Sequence, residues 1–293
     1  MVGGIALLAP VGAVIWLSES MLGAGLPVFY ALAVSAFALG FLDDRYDLGA
    51  RWRLFVSLLV VLSVAWSQPM LRVDALAFSF LNGAPLGLDA MLGTIFTAFA
   101  LVGLQNAVNM ADGKNGLVPG LALIWTLFLV WSAPGELAWP LGILATALAV
   151  VLAFNLRGRL FLGDAGSYGI AIVIGVFAIV VYNLADGGLP ADVIALWFWV
   201  PVVDCLRLMT QRLLRGSSPF QGDEAHFHHM LAEIMPWRYG LIVYLSMVAV
   251  PGTISLLSPS LAAPLILLTS MAYALMLAVI ASQPASRSRQ ETF

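Results

Sequence analysis

The feature that most constrains this chain is a series of long runs without a single charged residue. They extend from Met1 to Ser18, Ser20 to Leu42, Leu54 to Leu71, Ala90 to Ala111, Asn115 to Gly135, Leu137 to Leu156 and Ala165 to Ala185. A bilayer core of about 30 Å takes about 20 helical residues, so each run is long enough to cross once. A further span is placed over Leu189 to Leu208, with Asp204 and Arg207 near its end. The uncharged stretch from Tyr239 to Ser286 is divided into two more spans by Pro251, Pro259 and Pro264, since proline interrupts the helical ladder. The expected fold is therefore all-α. It is a polytopic integral membrane protein of about ten transmembrane helices, with residues 1–293 forming a single membrane-embedded domain.

Composition removes the competing classes. With 61% hydrophobic and 10% charged residues and a mean hydropathy of +0.98, the chain carries more apolar surface than a soluble core can use. One cysteine, Cys205, excludes disulfide frameworks and thiolate zinc sites. With only three histidines, a metal would be held largely by oxygen ligands, which favours a hard cation. A net charge of -3 gives no basic field, so no nucleic acid is expected as a partner.

With ten spans both termini share a side. Arg45, Arg51, Arg53, Lys114, Arg157, Arg159, Arg207, Arg212, Arg215, Arg238, Arg287 and Arg289 then fall on one face, and Arg72 alone falls on the other. The positive-inside rule makes the first face, with both termini, cytoplasmic. On the opposite side, the alternation around Val73, Leu76, Phe78 and Phe80 with Asn82-Gly83 predicts a small hairpin. Met1 is followed directly by apolar sequence with no basic region, so the first span is expected to be retained. Residues 210–238 form the one hydrophilic interruption of real size, read as a large cytoplasmic loop.

Carboxylates are costly at membrane depth, about 2.5–3.5 kcal/mol on insertion scales, so those at span ends are candidates for chemistry. Taken singly, each is a loop charge or helix cap; together they cluster on the cytoplasmic side. Asp43, Asp44 and Asp47 follow the second span, Asp112 the fourth, Asp164 precedes the seventh, and Asp223 and Glu224 lie in the large loop. Asp43-Asp44 suits Mg²⁺, which takes a few carboxylates and leaves other positions to water and phosphate. Asn106, Asn109 and Asp112 recur at helical spacing, and Gly113 and Gly116 allow backbone to approach a ligand. Arg157 and Arg159 precede Gly163-Asp164-Ala165-Gly166-Ser167, a helix start whose amides attract anions and whose aspartate either holds a cation or caps the helix. Arg212, Arg215 and the cluster His226-Phe227-His228-His229 add phosphate-binding or acid-base groups; the histidines are crowded for one tetrahedral zinc.

In this order, Leu42-Asp43-Asp44, Asn106-Ala107-Val108-Asn109-Met110-Ala111-Asp112-Gly113, Phe161-Leu162-Gly163-Asp164-Ala165-Gly166-Ser167 and His226-Phe227-His228-His229 resemble the four signature loops of the polyprenyl-phosphate N-acetylhexosamine-1-phosphate transferases. That resemblance implies transfer of a sugar 1-phosphate from a UDP-sugar to undecaprenyl phosphate, with Mg²⁺ as cofactor and release of UMP, for cell-envelope polysaccharide synthesis. It implies further that Asp164 and Asp112 bind the metal and that Asp43 or Asp44 activates or orients the lipid phosphate. Asn109 and Asp112 would hold nucleotide or metal, and Asn155 and Phe161 would contact uracil. His226, His228 and His229 would steady the diphosphate, with Arg212 and Arg215 as further substrate contacts. The expected partners are undecaprenyl phosphate, the UDP-sugar and the bilayer of a bacterial inner membrane, with a homodimer as a permitted assembly.

The chain departs from the pattern in two places. It begins at Met1-Val2-Gly3-Gly4 without the family's first helix and basic loop, so an additional upstream span is expected in the native product. Asn115 stands where the family usually has a second aspartate. The His-x-His-His spacing is closer to the N-acetylglucosamine branch than to the peptidoglycan one. Two other classes rank below this reading. A transporter or channel should carry ionisable residues at mid-span or in broken helices. An intramembrane aspartyl protease would have to pair Asp47 with Asp164 inside the bilayer.

Overall fold

The computed structural model describes residues 2–81, 85–185, 188–218 and 225–282. Among them are twelve helices. They are α1 (Val2–Leu17), α2 (Glu19–Leu22), α3 (Leu26–Tyr46), α4 (Ala50–Ser67), α5 (Ala90–Ala111), α6 (Leu117–Ser132), α7 (Ala138–Asn155), α8 (Gly163–Leu184), α9 (Ala191–Leu214), α10 (Phe227–Ile234), α11 (Trp237–Leu257) and α12 (Ala262–Ser282). By length and composition α3, α4, α5, α7, α8, α9, α11 and α12 can each cross a membrane, while α1 and α6 are shorter apolar helices. These ten correspond one for one to the ten runs read from the sequence. The protein is an all-α, multi-pass membrane protein.

The long α8 is the axis of the bundle. Every residue from Ala165 to Val181 is buried, enclosed by α3, α5, α1 and α6. Phe29 of α3 meets Phe177 of α8 edge to face at 5.0 Å between ring centres, a favoured aromatic geometry. At the periphery the pattern reverses. Leu267, Leu268, Met271 and Leu275 of α12 all face outward, as expected where lipid rather than water covers the surface. Pro201 inside α9 has no N–H for the carbonyl of Trp197, and that carbonyl accepts from the indole Nε1 of buried Trp125 at 2.7 Å instead. The missing backbone bond thus becomes a tie between α6 and α9.

At one end of the bundle the chain between α4 and α5 forms β1 (Ala75–Leu76) and β2 (Leu86–Gly87), antiparallel with Ala75 opposite Gly87 and Leu76 opposite Leu86. This is the hairpin expected from the alternation; its Asn82-Gly83 turn lies outside the described residues. Asp89 then caps α5, accepting from the Leu92 amide at 2.8 Å.

Two boundaries differ from the sequence reading. Helix α4 begins at Ala50 rather than Leu54, so Arg51 and Arg53 belong to its first turn; charge there is tolerable because Arg53 has carboxylate partners. The segment 210–238 is mostly helical among the described residues: α9 continues to Leu214, α10 carries the histidines, and α11 starts at Trp237. Pro219, Phe220, Asp223 and Glu224 lie outside the described residues.

Candidate active site

At the end of the bundle opposite the hairpin, the carboxyl end of α3 meets the start of α8. Asp43 is 4% exposed. Its Oδ2 accepts from Arg53 Nη1 at 2.5 Å and from Tyr168 Oη at 2.8 Å, and its Oδ1 accepts from the Leu48 amide at 2.9 Å. Asp43 thereby fastens α3, α4 and α8 together. Asp44 does something different: its two carboxylate oxygens accept from the amides of Asp164 at 2.9 Å and Ala165 at 3.2 Å. It caps α8 from 120 positions away in sequence, supplying a negative charge where the helix dipole favours one. Gly163 makes this approach feasible, because its φ is +65° and a Cβ there would stand 2.7 Å from Asp44 Oδ2. The helix is therefore capped by Asp44, which leaves the Asp164 side chain available.

Asp164 Oδ1 accepts from Asn109 Nδ2 at 2.7 Å, and the same nitrogen reaches Ser167 Oγ at 3.2 Å. Its Oδ2 stands 3.8 Å from Arg53 Nη1. Asn106, one turn earlier on α5, turns instead to Cys205 Sγ of α9 at 3.5 Å, so the two asparagines face different neighbours. Arg53, Gln105, Asn106 and Tyr168 line a small half-open cleft with room for about one water.

Asp112 ends α5. Among the described residues no side chain donates a hydrogen bond to it. Burial, reinforced by the nearby Asp44 charge, pushes its carboxyl up to about 7. The next residue is Gly113, where a Cβ would collide with His228 Nε2 and stand 2.9 Å from His229 Nε2; glycine here lets two imidazoles lie on the backbone of the Asp112 loop. His228 is 1% exposed, and burial, followed by the neighbouring His229 and His226, pushes it down to about 3. It is neutral at physiological pH, and its Nε2 is buried with no hydrogen-bond partner. The His228 and His229 rings are 4.3 Å apart, and the His226 and His228 rings stack at 5.5 Å.

The loops around this centre are braced by amides and an indole. Asn155 Oδ1 accepts from the Gly116 amide at 2.5 Å and its Nδ2 donates to the Leu160 carbonyl at 2.7 Å. Its polar atoms are thus both engaged by backbone, and it joins the Asp112–Gly116 loop to the loop carrying Phe161. Trp237 Nε1 donates to the Asn115 carbonyl at 2.7 Å. Phe161 is 59% exposed. Arg212 is buried near the end of α9, whereas Arg215, at its end, is exposed.

The structure thus joins Asp43, Asp44, Asn109 and Asp164 in one hydrogen-bonded set, and it sets His228 and His229 against the loop of Asp112. Sequence reasoning missed three members. Arg53 reads as a loop charge ahead of an apolar run, Tyr168 lies inside one, and Asp204 reads only as a charge near a span end. The pairing that an aspartyl protease needs is not made: Asp47 is exposed and ends α3 with φ 50°, and Asp44 is the residue that meets Asp164.

Among the described residues no three histidine, cysteine or acidic side chains converge as a metal site. The donor set does fit Mg²⁺, which commonly takes one or two carboxylates and completes its shell with water and substrate phosphate. Asp164 Oδ2, 3.8 Å from Arg53 Nη1, and the Asp112 carboxylate are the oxygens that would hold it.

The family model described as Glycosyl transferase family 4 matches residues 26–182, more than half of the chain. That match takes in Asp43, Asp44, Asn109, Asp112, Asn155 and Asp164, and it ends before Asp204 and the histidines. A Yersinia pestis protein named undecaprenyl-phosphate alpha-N-acetylglucosaminyl 1-phosphate transferase is 32% identical over 247 residues, 79% of this chain and 65% of its own length. A Thermotoga maritima protein of the same name is 28% identical over 217 residues, 73% of this chain and 65% of its own length. The Mycobacterium tuberculosis decaprenyl-phosphate N-acetylglucosaminephosphotransferase is 28% identical over 286 residues, covering 83% of this chain and 68% of that one. The chain spans about two thirds of the length of the curated relatives it matches.

Proposed function

Because this chain belongs to glycosyl transferase family 4, we propose that it transfers the sugar 1-phosphate of a UDP-N-acetylhexosamine to undecaprenyl phosphate. The products are UMP and a lipid-linked diphospho-sugar for cell-envelope polysaccharide synthesis, made at the cytoplasmic face of a bacterial inner membrane. The observation that carries this reading is the convergence of Asp43, Asp44, Asp164 and Arg53 around the first turn of α8, at the end of the bundle where Asp112 and the histidines also lie.

Donor diphosphate and acceptor phosphate are both anions, so their repulsion must be offset before in-line attack. Asp164 and Asp112 would hold Mg²⁺, which when bound supplies that positive charge on the diphosphate. The amides at the start of α8 are already capped by Asp44, so this helix end orients Asp164 rather than binding the phosphate itself. Arg53, 2.5 Å from Asp43 and 3.8 Å from Asp164, is the counter-charge for the incoming lipid phosphate. A phosphate monoester has a second pKa of about 6 and is mostly a dianion at pH 7, so no base is needed to deprotonate it. Asp43, already accepting three hydrogen bonds, positions Arg53. Neutral His228, with His226 and His229, packs the diphosphate side of the site, while Arg212 and Arg215 are further phosphate contacts. Phe161, with its ring exposed, is the group suited to stack on uracil, on a loop set by Asn155.

The test is release of UMP from a UDP-N-acetylhexosamine by membranes carrying this chain, supplied with undecaprenyl phosphate and Mg²⁺. Release that requires both the lipid and the cation is expected. Absence of UMP with every UDP-N-acetylhexosamine offered, at confirmed expression, would overturn the reading.

A further inference from the structure

Among the described residues, the carboxylate with the most partners lies outside the family match and outside every motif. Asp204, 4% exposed in the body of α9, accepts at Oδ1 from Arg207 Nη2 at 2.8 Å and from Tyr273 Oη of α12 at 2.6 Å. The Phe227 amide lies 3.3 Å from its Oδ1 and 3.2 Å from its Oδ2, and His226 Nδ1 lies 3.1 Å from Oδ2. Arg207 is held in turn by Tyr273 at 2.8 Å and by the Ala225 carbonyl at 2.6 Å. Four of these groups lie within four positions of the start of α10 or on the helix that packs beside it.

Two consequences follow from the donor inventory. The Phe227 amide is the first of the orphan N–H groups of α10, so Asp204 caps the histidine helix from another element. A carboxylate ion-paired with Arg207 has no proton to give, so His226 must donate from Nδ1, and an uncharged ring held this way has Nε2 as its acceptor. A buried acid that orients an imidazole through its other nitrogen is a recurrent device for fixing tautomer and direction. Here the same contact also sets α10, and α10 sets His228 and His229 over Gly113.

We propose that Asp204 is the positioning residue of the histidine motif: it fixes the His226 tautomer and the pose of α10 against the Asp112–Gly113 loop. The catalytic consequence rests on the transferase reading above; the tautomer does not. Asp204→Asn keeps an acceptor for Tyr273 but turns an N–H toward Nδ1, which favours the opposite tautomer of His226.

Because the chain has three histidines, ¹⁵N NMR of histidine-labelled protein in bilayers, its affinity tag removed, reads the tautomer independently of activity. The expected result is one ring protonated at Nδ1 in wild type, lost or reversed in Asp204→Asn and retained in Tyr273→Phe, which removes a bond to the same carboxylate but not the acceptor facing His226. UMP release should fall about 10- to 100-fold in kcat for Asp204→Asn with KM for the UDP-sugar changed less than about twofold. It should fall no further when Asp204→Asn is added to His226→Ala, since residues acting as a unit are not additive. An unchanged tautomer in Asp204→Asn would overturn the proposal. So would multiplicative losses in the double variant. If wild type releases no UMP while the tautomer shifts as expected, the transferase reading fails and the positioning of His226 stands.

Discussion

The two ends of the bundle use the same kinds of residue and leave them in different states. Among the described residues at the hairpin end the charged and amide groups are matched, and the unpartnered buried atom there is the Ser132 hydroxyl at the end of α6. Asp192 accepts from the Ser79 amide at 2.9 Å and its hydroxyl at 2.5 Å, and Arg72 holds Asp74 through two nitrogens at 2.5 and 3.0 Å. Tyr182 accepts from the Ala77 amide and donates to the Ala75 carbonyl, while Asn183 donates to two carbonyls. At the Asp43 end an equally dense set includes groups that are not matched: the Asp112 carboxylate, held half-neutral near pH 7, and His228 Nε2. Leaving a buried polar group unsatisfied costs about 1–3 kcal/mol. A fold that satisfies Asp192 and leaves Asp112 open differs at its two ends: one is braced, and the other has the unmatched groups that the proposed ligand site requires.

The sharpest break of this comparison is activity without loss of fold. Asp164→Asn and Asp112→Asn should each lower UMP release by about a thousandfold, the scale of removing one charge-stabilising group, whereas Asp192→Asn should leave kcat per folded molecule within about twofold. Comparable losses at the two ends would erase the distinction. Arg53→Gln should follow at about a hundredfold in kcat/KM for the lipid acceptor, with KM for the UDP-sugar little altered. An equal effect on the UDP-sugar would move Arg53 to the donor side.

Stability effects are smaller and should be of similar size at the two ends. Ser79→Ala removes the hydroxyl on Asp192 and should cost about 1 kcal/mol with activity intact. Asp44→Ala, which uncaps α8, should cost about 0.5–2 kcal/mol and lower activity by misplacing Asp164. Loss of activity in Asp44→Ala with no change in Tm would mean that Asp44 acts on substrate directly.

The smallest effects are in pH. Without divalent cation, Asp112 has its carboxyl raised from 3.8 to about 7, so its contribution to stability is complete below 3.8 and lost as pH rises through about 7. His228, lowered from 6.5 to about 3, contributes stability that is complete above 6.5 and lost as pH falls toward 3. The two windows overlap with opposite sign, so Asp112→Asn should make Tm rise more steeply with pH between about 4 and 7 and His228→Asn should make it rise less steeply between about 3 and 6.5. The opposite assignment would contradict the burial of both groups.

How much of this was legible in the sequence follows the range of the interactions involved. The ten apolar helices were readable because bilayer thickness is a local constraint on each run, and the motif loops were readable because Asp43, Asp112, Asp164 and His228 interrupt those runs. Asp44 as the cap of α8 was not, since nothing local distinguishes a carboxylate that caps its own helix from one that caps another 120 positions on. Arg53 reads as a loop residue because charge marks a span boundary; ion pairing with Asp43 lets it enter the helix. Tyr168 and Asp204 sit in helix bodies where only tertiary contact gives them meaning. Asn155 was expected at the uracil, and its amide turns out to be engaged by the Gly116 and Leu160 backbone.

The central claim is that Asp112 is left open for a ligand that the hairpin end cannot take. The most direct measurement is the Tm shift of purified protein on adding UMP with Mg²⁺. Wild type should rise, by about 2.7 kcal/mol of stabilisation at a hundred times Kd, Asp192→Asn should rise equally, and Asp112→Asn should start more stable at pH 8 and rise little. A full shift in Asp112→Asn, from a starting Tm no higher than that of wild type, would contradict the account.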